Sequence, residues 1–269
     1  MAFLTIAAAI AAFVPPLAET PAPLRPAKPA LWVVADADTT IYLFGTFHAL
    51  DGQSDWFSDQ VESAFARSDQ LVLETIIPGS AVPVVKAKAL GAAGTVGPIA
   101  RIAGSASFLS STKMVMSAGR SNGMSTAQGA DVILSDAALA AGKPVGGLES
   151  FEFQLDMFSK LPPAPRARGA AETAATMNSV SSVLADLQAA WNRGDAERFA
   201  PMLEQMRTKS PDMYRMMFVD RNARWAAWIA RRLEQPGTVF VAVGAGHFAG
   251  RDSVRAKLTT LGLGTARLN

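Results

Sequence analysis

The stretch "IYLFGTFHAL", residues 41–50, joins a strand-like apolar run to Gly45 and, three residues later, to His48. The chain has one other histidine, His247, and it stands in the same setting in "VFVAVGAGHFAG", again three residues after a glycine that follows an apolar run. A glycine at the end of a buried strand lets the backbone turn sharply and lets a ligand approach closely. The repeated pattern predicts that both histidines lie beyond the carboxyl ends of strands in one α/β sheet.

The flanking sequence supports an α/β fold. "LWVVAD" and "TTIYLFG" surround a turn-prone Asp-Ala-Asp and predict a β-hairpin. "SDWFSDQVESAFARSD" has helical spacing and predicts a helix that begins at Ser54 or Asp55, and "QLVLETII" predicts the next strand. Two further strands are predicted from "KPVGGLES", residues 143–150, and from "TVFVAVGAG".

The middle of the chain is different because its apolar residues mostly follow helical periodicity. "ADVILSDAALAAG" predicts a helix there, and "RDSVRAKLTTLG" predicts the last helix of the chain. The sequence therefore predicts an α/β fold with a mixed central sheet built from both chain ends. A large helical insertion, at about residues 80–235, separates the two parts.

Composition excludes several classes of function. The chain has 269 residues, a formal net charge of +2 and no basic stripe, so nucleic acid is not an expected partner. It has no cysteine, which excludes disulfides, thiolate metal sites and a cysteine nucleophile. The absence of Gly-x-Gly-x-x-Gly and Walker-type loops argues against nucleotide enzymes. The sequence indicates no oligomeric state.

The N-terminus resembles an export signal. "FLTIAAAIAAFV" has the length of a signal-peptide apolar region, and a Pro/Ala-rich stretch follows it. We therefore predict a signal peptide and linker over residues 1–30, a mature domain over 31–269, and a periplasmic or secreted protein. The alternative is a buried helix at the domain edge, since no Lys or Arg precedes the apolar run.

Four strand ends carry the residue types of a catalytic or metal site. Besides His48 and His247, Glu74 ends "LVLE" and Glu149 ends "GGLE". Neutral imidazoles and carboxylates are ligands for divalent metals with an open coordination position, and they also serve in acid–base activation of water. The alternative is that each histidine is an ordinary hydrogen-bonded loop residue.

At this point the chain resembles the TraB/GumN family, which includes the animal Tiki proteases. The resemblance rests on "YLFGTFH", "LVLE", "GLES", "AWNRGD", "RN" and "VFVAVGAGHFAG", in that order, over nearly all of residues 31–269. It implies a mixed α/β core related to ChaN-like haem-binding and erythromycin-esterase-like proteins. It also implies divalent-metal-dependent proteolysis, with active-site roles for His48, Glu74 and His247.

Arg221, in "VDRNARWAAWI", also matches a family position. At the start of an amphipathic helix its planar fork suits an oxyanion or a substrate carboxylate, and the alternative is a surface arginine. Gly45 and Gly244 are expected to support the site, and Glu149 is expected beside the metal or behind its ligands. Unlike the Tiki pattern, no C-terminal apolar segment has spanning length, so membrane association is expected only through an uncleaved N-terminus.

Three functions follow from these observations. The first is a metal-dependent hydrolase, with peptides as the preferred substrates, in which His48, Glu74 and His247 hold Mn²⁺, Co²⁺ or Zn²⁺. The second is a metal-independent, esterase-like hydrolase with His48 as general base, Glu74 orienting it and Arg221 stabilising the anion. The third is a non-catalytic module that binds haem or a peptide.

Overall fold

The computed structural model describes residues 23–76, 106–160 and 170–269. Most of the predicted signal region and parts of the predicted helical insertion lie outside these ranges. Within them, no helix is both long and apolar enough to cross a membrane.

A six-stranded mixed sheet forms the centre of the described structure, with strand order β6-β5-β7-β3-β2-β8. Neighbouring strands run parallel from β6 to β3, whereas β2 is antiparallel to both β3 and β8. A separate parallel pair, β1 with β4, lies outside this sheet. The strands are β1 (Arg25–Pro26), β2 (Leu31–Ala35), β3 (Thr39–Thr46), β4 (Ser54–Asp55), β5 (Gln70–Thr75), β6 (Val145–Glu149), β7 (Gly237–Gly244) and β8 (Ala266–Arg267). The predicted α/β class and mixed sheet are confirmed.

Helices flank the sheet, and most of them come from the middle of the chain. They are α1 (Asp59–Arg67), α2 (Ala106–Ser121), α3 (Ala130–Ala140), α4 (Phe151–Ser159), α5 (Ala170–Asn192), α6 (Ala200–Lys209), α7 (Pro211–Tyr214), α8 (Asp220–Arg232) and α9 (Val254–Thr260). A π-helical turn, Arg215–Val219, joins α7 to α8. A short 3-10 turn, Ala245–Phe248, follows β7.

The predicted hairpin is present as β2 and β3, and Asp36 holds its turn by accepting the Thr39 N–H at 2.9 Å. The predicted start of the next helix was wrong. Ser54 and Asp55 pair with β1 as a strand, and α1 begins only after Ser58. Trp56 is 4% exposed and packs in the core, and this burial takes precedence over the helical spacing of its neighbours.

Both faces of the sheet are covered by apolar side chains. Alternate residues of β3 point to opposite sides, so that Phe44 packs in one core cluster and Leu43 in the other. The neighbouring β7 does the same with Phe240 and Val241. Parallel strands buried on both faces expose polar groups chiefly at their ends. The candidate site residues are therefore sought at the carboxyl edge of the sheet.

Candidate functional site

The carboxyl ends of β3, β7, β5 and β6 lie side by side and bring the predicted residues together. Thr46 of β3 is in register with Gly244 of β7, and Thr75 of β5 is in register with Glu149 of β6. His48 follows β3, and His247 lies in the 3-10 turn after β7. Arg221 reaches the same edge from the start of α8. The structure thus places the two histidines, both glutamates and the arginine in one cluster.

Gly244 forms the floor of this cluster. A Cβ atom at this position would lie 3.1 Å from Glu74 Oε1, 3.3 Å from His48 Nε2 and 3.6 Å from His247 Cδ2. The Gly244 N–H also donates to Glu74 Oε1 at 2.6 Å. Because glycine has no side chain, these three groups face a shared space above it.

Gly45, the glycine of the first motif, faces packed protein instead. A Cβ there would lie 3.0 Å from Ala245 Cα, so the turn after β7 packs directly on it. Its carbonyl accepts the indole N–H of Trp191, from the "AWNRGD" segment, at 2.7 Å. Gly45 therefore allows close packing between segments, while Gly244 leaves space within the cluster.

His247 is buried and fixed from several sides. Its side chain is 6% exposed and lies against Phe218 and Trp225, with ring centroids 4.9 and 4.5 Å away. The amide nitrogen of Asn222 donates to the Asp252 carbonyl, so its Oδ1 faces His247 Nδ1 at 2.6 Å. Since Oδ1 can only accept, Nδ1 carries the proton and Nε2 keeps its lone pair.

The charge state of His247 follows from this environment. Burial lowers the pKa of His247 to about 3, because desolvation and the nearby cations outweigh the attraction of Glu74. Arg221 Nη1 lies 3.3 Å from Nε2 and donates to it. His247 is therefore a neutral imidazole over the physiological pH range.

His48 is in the opposite environment. Its side chain is 60% exposed, and within the described residues its ring makes one hydrogen bond, between Nδ1 and Asp131 Oδ1 at 3.2 Å. Burial opposes the charged form, but the hydrogen bond and charge of Asp131, together with Glu74, raise the pKa of His48 to about 9. Solvent screens part of this effect at an exposed ring. His48 therefore tends to carry a proton where His247 does not.

Arg221 is surrounded by protein acceptors. Its Nε donates to both Glu149 oxygens, at 3.0 and 3.1 Å, and its Nη2 lies 2.8 Å from both Glu74 Oε2 and Glu149 Oε2. Its Nη1 faces His247 Nε2 and the Met217 carbonyl. Hydrogen bonds to these acceptors engage all three guanidinium nitrogens. An oxyanion or a substrate carboxylate, the contact predicted for Arg221, would compete with these protein acceptors.

The carboxylates of Glu74 and Glu149 both pair with this arginine. Burial of Glu74 opposes its negative charge, but Arg221, both histidines and the Gly244 N–H hold the pKa of Glu74 far below its usual range. Glu149 is 3% exposed in its side chain and bridges Arg221 to Arg224. Glu149 therefore joins the cluster through its two arginine contacts.

Arg224 is more than a surface arginine. Its Nη2 donates to Glu149 at 3.1 Å, and its guanidinium lies 4.7 Å from the centre of the Phe153 ring. The half-exposed side chain forms the outer edge of the buried charge network. Arg224 is therefore unsuitable as a matched control for Arg221. Arg231, which is exposed on the same helix, serves instead.

No sequence pattern points to Asp131, and the sequence points only weakly to Asn222. Each presents an oxygen to the Nδ1 of one histidine. Asp131 lies 83 positions from His48, so no local pattern connects them. Asn222 adjoins Arg221 in "RN", and that adjacency is the one sequence signal that pointed toward it.

The donor chemistry of the cluster fits a divalent metal ion. Two imidazoles whose Nδ1 atoms each meet an oxygen reproduce the outer-shell pattern of metal-binding histidines. Within the described residues, however, no group of three or more His, Cys, Asp or Glu side chains is spaced to hold an ion. Arg221 contacts both His247 Nε2 and Glu74, so His48, Glu74 and His247 could share an ion only if that guanidinium moved aside.

Comparison with known proteins identifies the family. The sequence model described as the TraB/PrgY/gumN family matches residues 30–94 and 86–265. No curated protein and no solved structure matches the chain significantly. The family match covers most of the described structure, including every residue of the cluster. The chain belongs to the TraB/PrgY/gumN family.

Proposed function

We propose that this protein is a metal-dependent hydrolase whose substrates are peptides. The observation that carries the proposal is the space above Gly244, which a single Cβ atom would fill and which Glu74 Oε1, His48 Nε2 and the His247 ring all face. These residues would hold a Mn²⁺, Co²⁺ or Zn²⁺ ion. When bound, such an ion lowers the pKa of water toward ~7 and polarises a scissile carbonyl.

The protein residues have separate roles in this proposal. Glu74 supplies negative charge and is kept ionised by Arg221. Asn222 accepts from His247 Nδ1 and so leaves the lone pair on Nε2, while burial and Arg221 keep the ring neutral. His48, at the exposed side of the cluster, presents its Nε2 to the space above Gly244, where an arriving ion would compete with its proton.

A metal-independent hydrolase is the second candidate, and the contact of Arg221 with His247 favours it because a cation already stands beside the ring. In that mechanism His48 acts as general base. The anion formed during acyl transfer would need hydrogen-bond donors, yet all three guanidinium nitrogens of Arg221 already donate to protein acceptors. We therefore place this candidate second, and haem or peptide binding without turnover third.

Localisation is proposed on the sequence alone: export to the periplasm or secretion after cleavage of the N-terminal apolar segment. Mass spectrometry of protein recovered from the periplasm should show a new N-terminus upstream of the folded domain. Full-length protein confined to the cytoplasm would contradict export.

The function is tested by metal content and turnover measured on the same preparations. Metal in purified wild-type protein is quantified by mass spectrometry, and hydrolysis of a fluorogenic peptide library and of simple esters is followed before and after chelation. We expect bound metal, peptide hydrolysis that chelation abolishes, and recovery with Mn²⁺, Co²⁺ or Zn²⁺.

Glu74→Gln keeps the shape of the side chain and should lose both metal and turnover, whereas the exposed Glu62→Gln should retain them. Hydrolysis that continues unchanged after exhaustive chelation would replace the first candidate with the second. If no turnover is found under any condition, both hydrolase candidates fail and the non-catalytic binding module remains.

A further inference from the structure

A short segment of the predicted insertion is fastened to the backbone around His48. Leu50 and Ser125 exchange two backbone hydrogen bonds, at 3.2 and 2.8 Å, and the Ala130 N–H donates to the Phe47 carbonyl at 2.9 Å. Gly129 packs so closely on this loop that an added Cβ would lie 2.4 Å from the His48 carbonyl oxygen. The first turn of α3 therefore has a defined position relative to the His48 side chain.

Asp131 lies in that first turn and reaches the His48 ring. Its Oδ1 is 3.2 Å from His48 Nδ1, and its side chain is 34% exposed. Within the described residues, the other charged groups that act on this ring are Glu74 and Arg221, which both belong to the cluster. Asp131 is thus the group that contacts His48 from outside the cluster.

A carboxylate at this position has a chemical consequence for the ring. An ionised carboxylate can only accept hydrogen bonds, so the contact requires the proton of a neutral His48 to sit on Nδ1. The lone pair then lies on Nε2, the atom that faces Glu74 above Gly244. The same contact also limits rotation of an otherwise exposed ring.

We propose that Asp131 is a positioning residue that fixes the orientation and tautomer of His48, so that Nε2 is available to a ligand above Gly244. The importance of this arrangement for hydrolysis rests on the proposed function, whereas the arrangement itself does not. An alternative role for Asp131 is purely structural, as an acidic residue that stabilises the start of α3. The two roles differ in what they do to the imidazole.

Because the chain has only two histidines, their rings can be observed separately by NMR. Protein labelled with ¹⁵N-histidine is studied in the presence of chelator, and the neutral tautomer of each ring is read at the alkaline end of a pH series. A His48→Gln variant assigns the signals. In wild-type protein we expect Nδ1–H in both rings.

In Asp131→Ala we expect a population of the Nε2–H tautomer to appear for His48, while His247, held by Asn222, stays unchanged. Asp136→Ala, an exposed acidic residue on the same helix, should change neither ring. Asp131→Asn keeps the side-chain shape but can turn its NH₂ toward Nδ1, so it too should populate Nε2–H. It decides the question if the alanine variant does not fold.

Zn²⁺ affinity, measured by competition with a chromophoric chelator, should fall about 10- to 100-fold in Asp131→Ala, as expected for loss of an outer-shell partner. An Nε2–H tautomer of His48 in wild-type protein, or an unchanged tautomer in both Asp131 variants, would overturn the proposal. The tautomer is measured without metal or substrate, so a failure of the proposed hydrolase function does not affect the result.

Discussion

The two Gly-x-x-His segments are nearly alike in sequence and differ in almost every physical property. The His247 side chain is 6% exposed, packed between aromatic rings and neutral, whereas the His48 side chain is 60% exposed and tends to be protonated. Gly244 opens onto a space shared by three functional groups, and Gly45 packs against backbone. A repeated motif thus places two residues at one edge of the sheet but does not make them equivalent.

The difference has a structural cause. The segment after β7 turns under α8, where Trp225 and Phe218 exclude water from the ring. The segment after β3 turns outward, and among the described residues its histidine is hydrogen-bonded by Asp131 in the first turn of α3. We therefore call the His247 side of the cluster the rigid side and the His48 side the exposed side.

The largest expected effect comes from removing the cation on the rigid side. Arg221→Met leaves Glu74 and Glu149 buried with less compensation and should lower the free energy of unfolding by about 3–5 kcal/mol. The unfolding free energy of Arg221→Lys should lie between those of wild type and Arg221→Met. An ammonium keeps the positive charge but cannot bridge the same acceptors in a planar fork. Urea unfolding at neutral pH measures both. A loss no larger than that of the exposed Arg231→Met would show that the network contributes little.

The second prediction uses pH to separate the two histidines. His247 has a folded-state pKa of about 3 and an unfolded value near 6.5, so the unfolded state binds the extra proton between them. Stability should therefore fall as pH drops from about 6.5 toward 3, by up to ~1.4 kcal/mol per pH unit. Because the pKa of Glu74 is also lowered in the folded protein, Glu74 should reduce stability further as pH falls below its usual pKa.

The fall in stability at acidic pH, called the acid limb below, is measured by urea unfolding over a pH series with chelator present. His247→Asn keeps a donor for Asn222 but does not titrate, so its stability should depend less steeply on pH in this window. An unchanged slope would mean that His247 is not the proton acceptor.

The third prediction compares the two glycines. Gly45→Ala forces a methyl group against the Ala245 backbone and should cost about 1–3 kcal/mol of unfolding free energy. Gly244→Ala meets side-chain atoms that can move, so its stability loss should be smaller. Calorimetric titration with Zn²⁺ and Mn²⁺ should show the reverse order, with binding lost in Gly244→Ala and retained in Gly45→Ala. Equal losses of binding would remove the distinction between the two glycines.

The smallest effect is expected at His48 itself. Its pKa is raised to about 9, so the stability it contributes is fully present below pH 6.5 and is lost as pH rises from 6.5 to 9. The ring is exposed, and solvent screening makes this alkaline limb shallower than the acid limb of His247. His48→Asn should flatten it while leaving the acid limb intact. If stability depended more steeply on pH at the alkaline end than at the acidic end, our assignment of the rigid and exposed sides would be reversed.

The sequence by itself identified the main strands of the central sheet and the edge at which the candidate site lies. Apolar runs ending in glycine identified β3 and β7, and "LVLE" and "GGLE" identified β5 and β6, because buried parallel strands carry their pattern locally. The start of α1 was wrong, since the pairing of β4 with the distant β1 decided it. The short β8 strand was not predicted for the same reason, because it exists only through its pairing with β2.

Only the tertiary structure decided how the two histidines differ. Asp131 reaches His48 across 83 positions, and Arg221 reaches Glu74 across 147, distances over which no sequence periodicity extends. Desolvation of His247 depends on which rings pack over it, and the tautomer of each histidine depends on the oxygen that meets its Nδ1. Local sequence fixes where a strand ends, whereas charge and protonation state depend on neighbours that only the folded chain brings together.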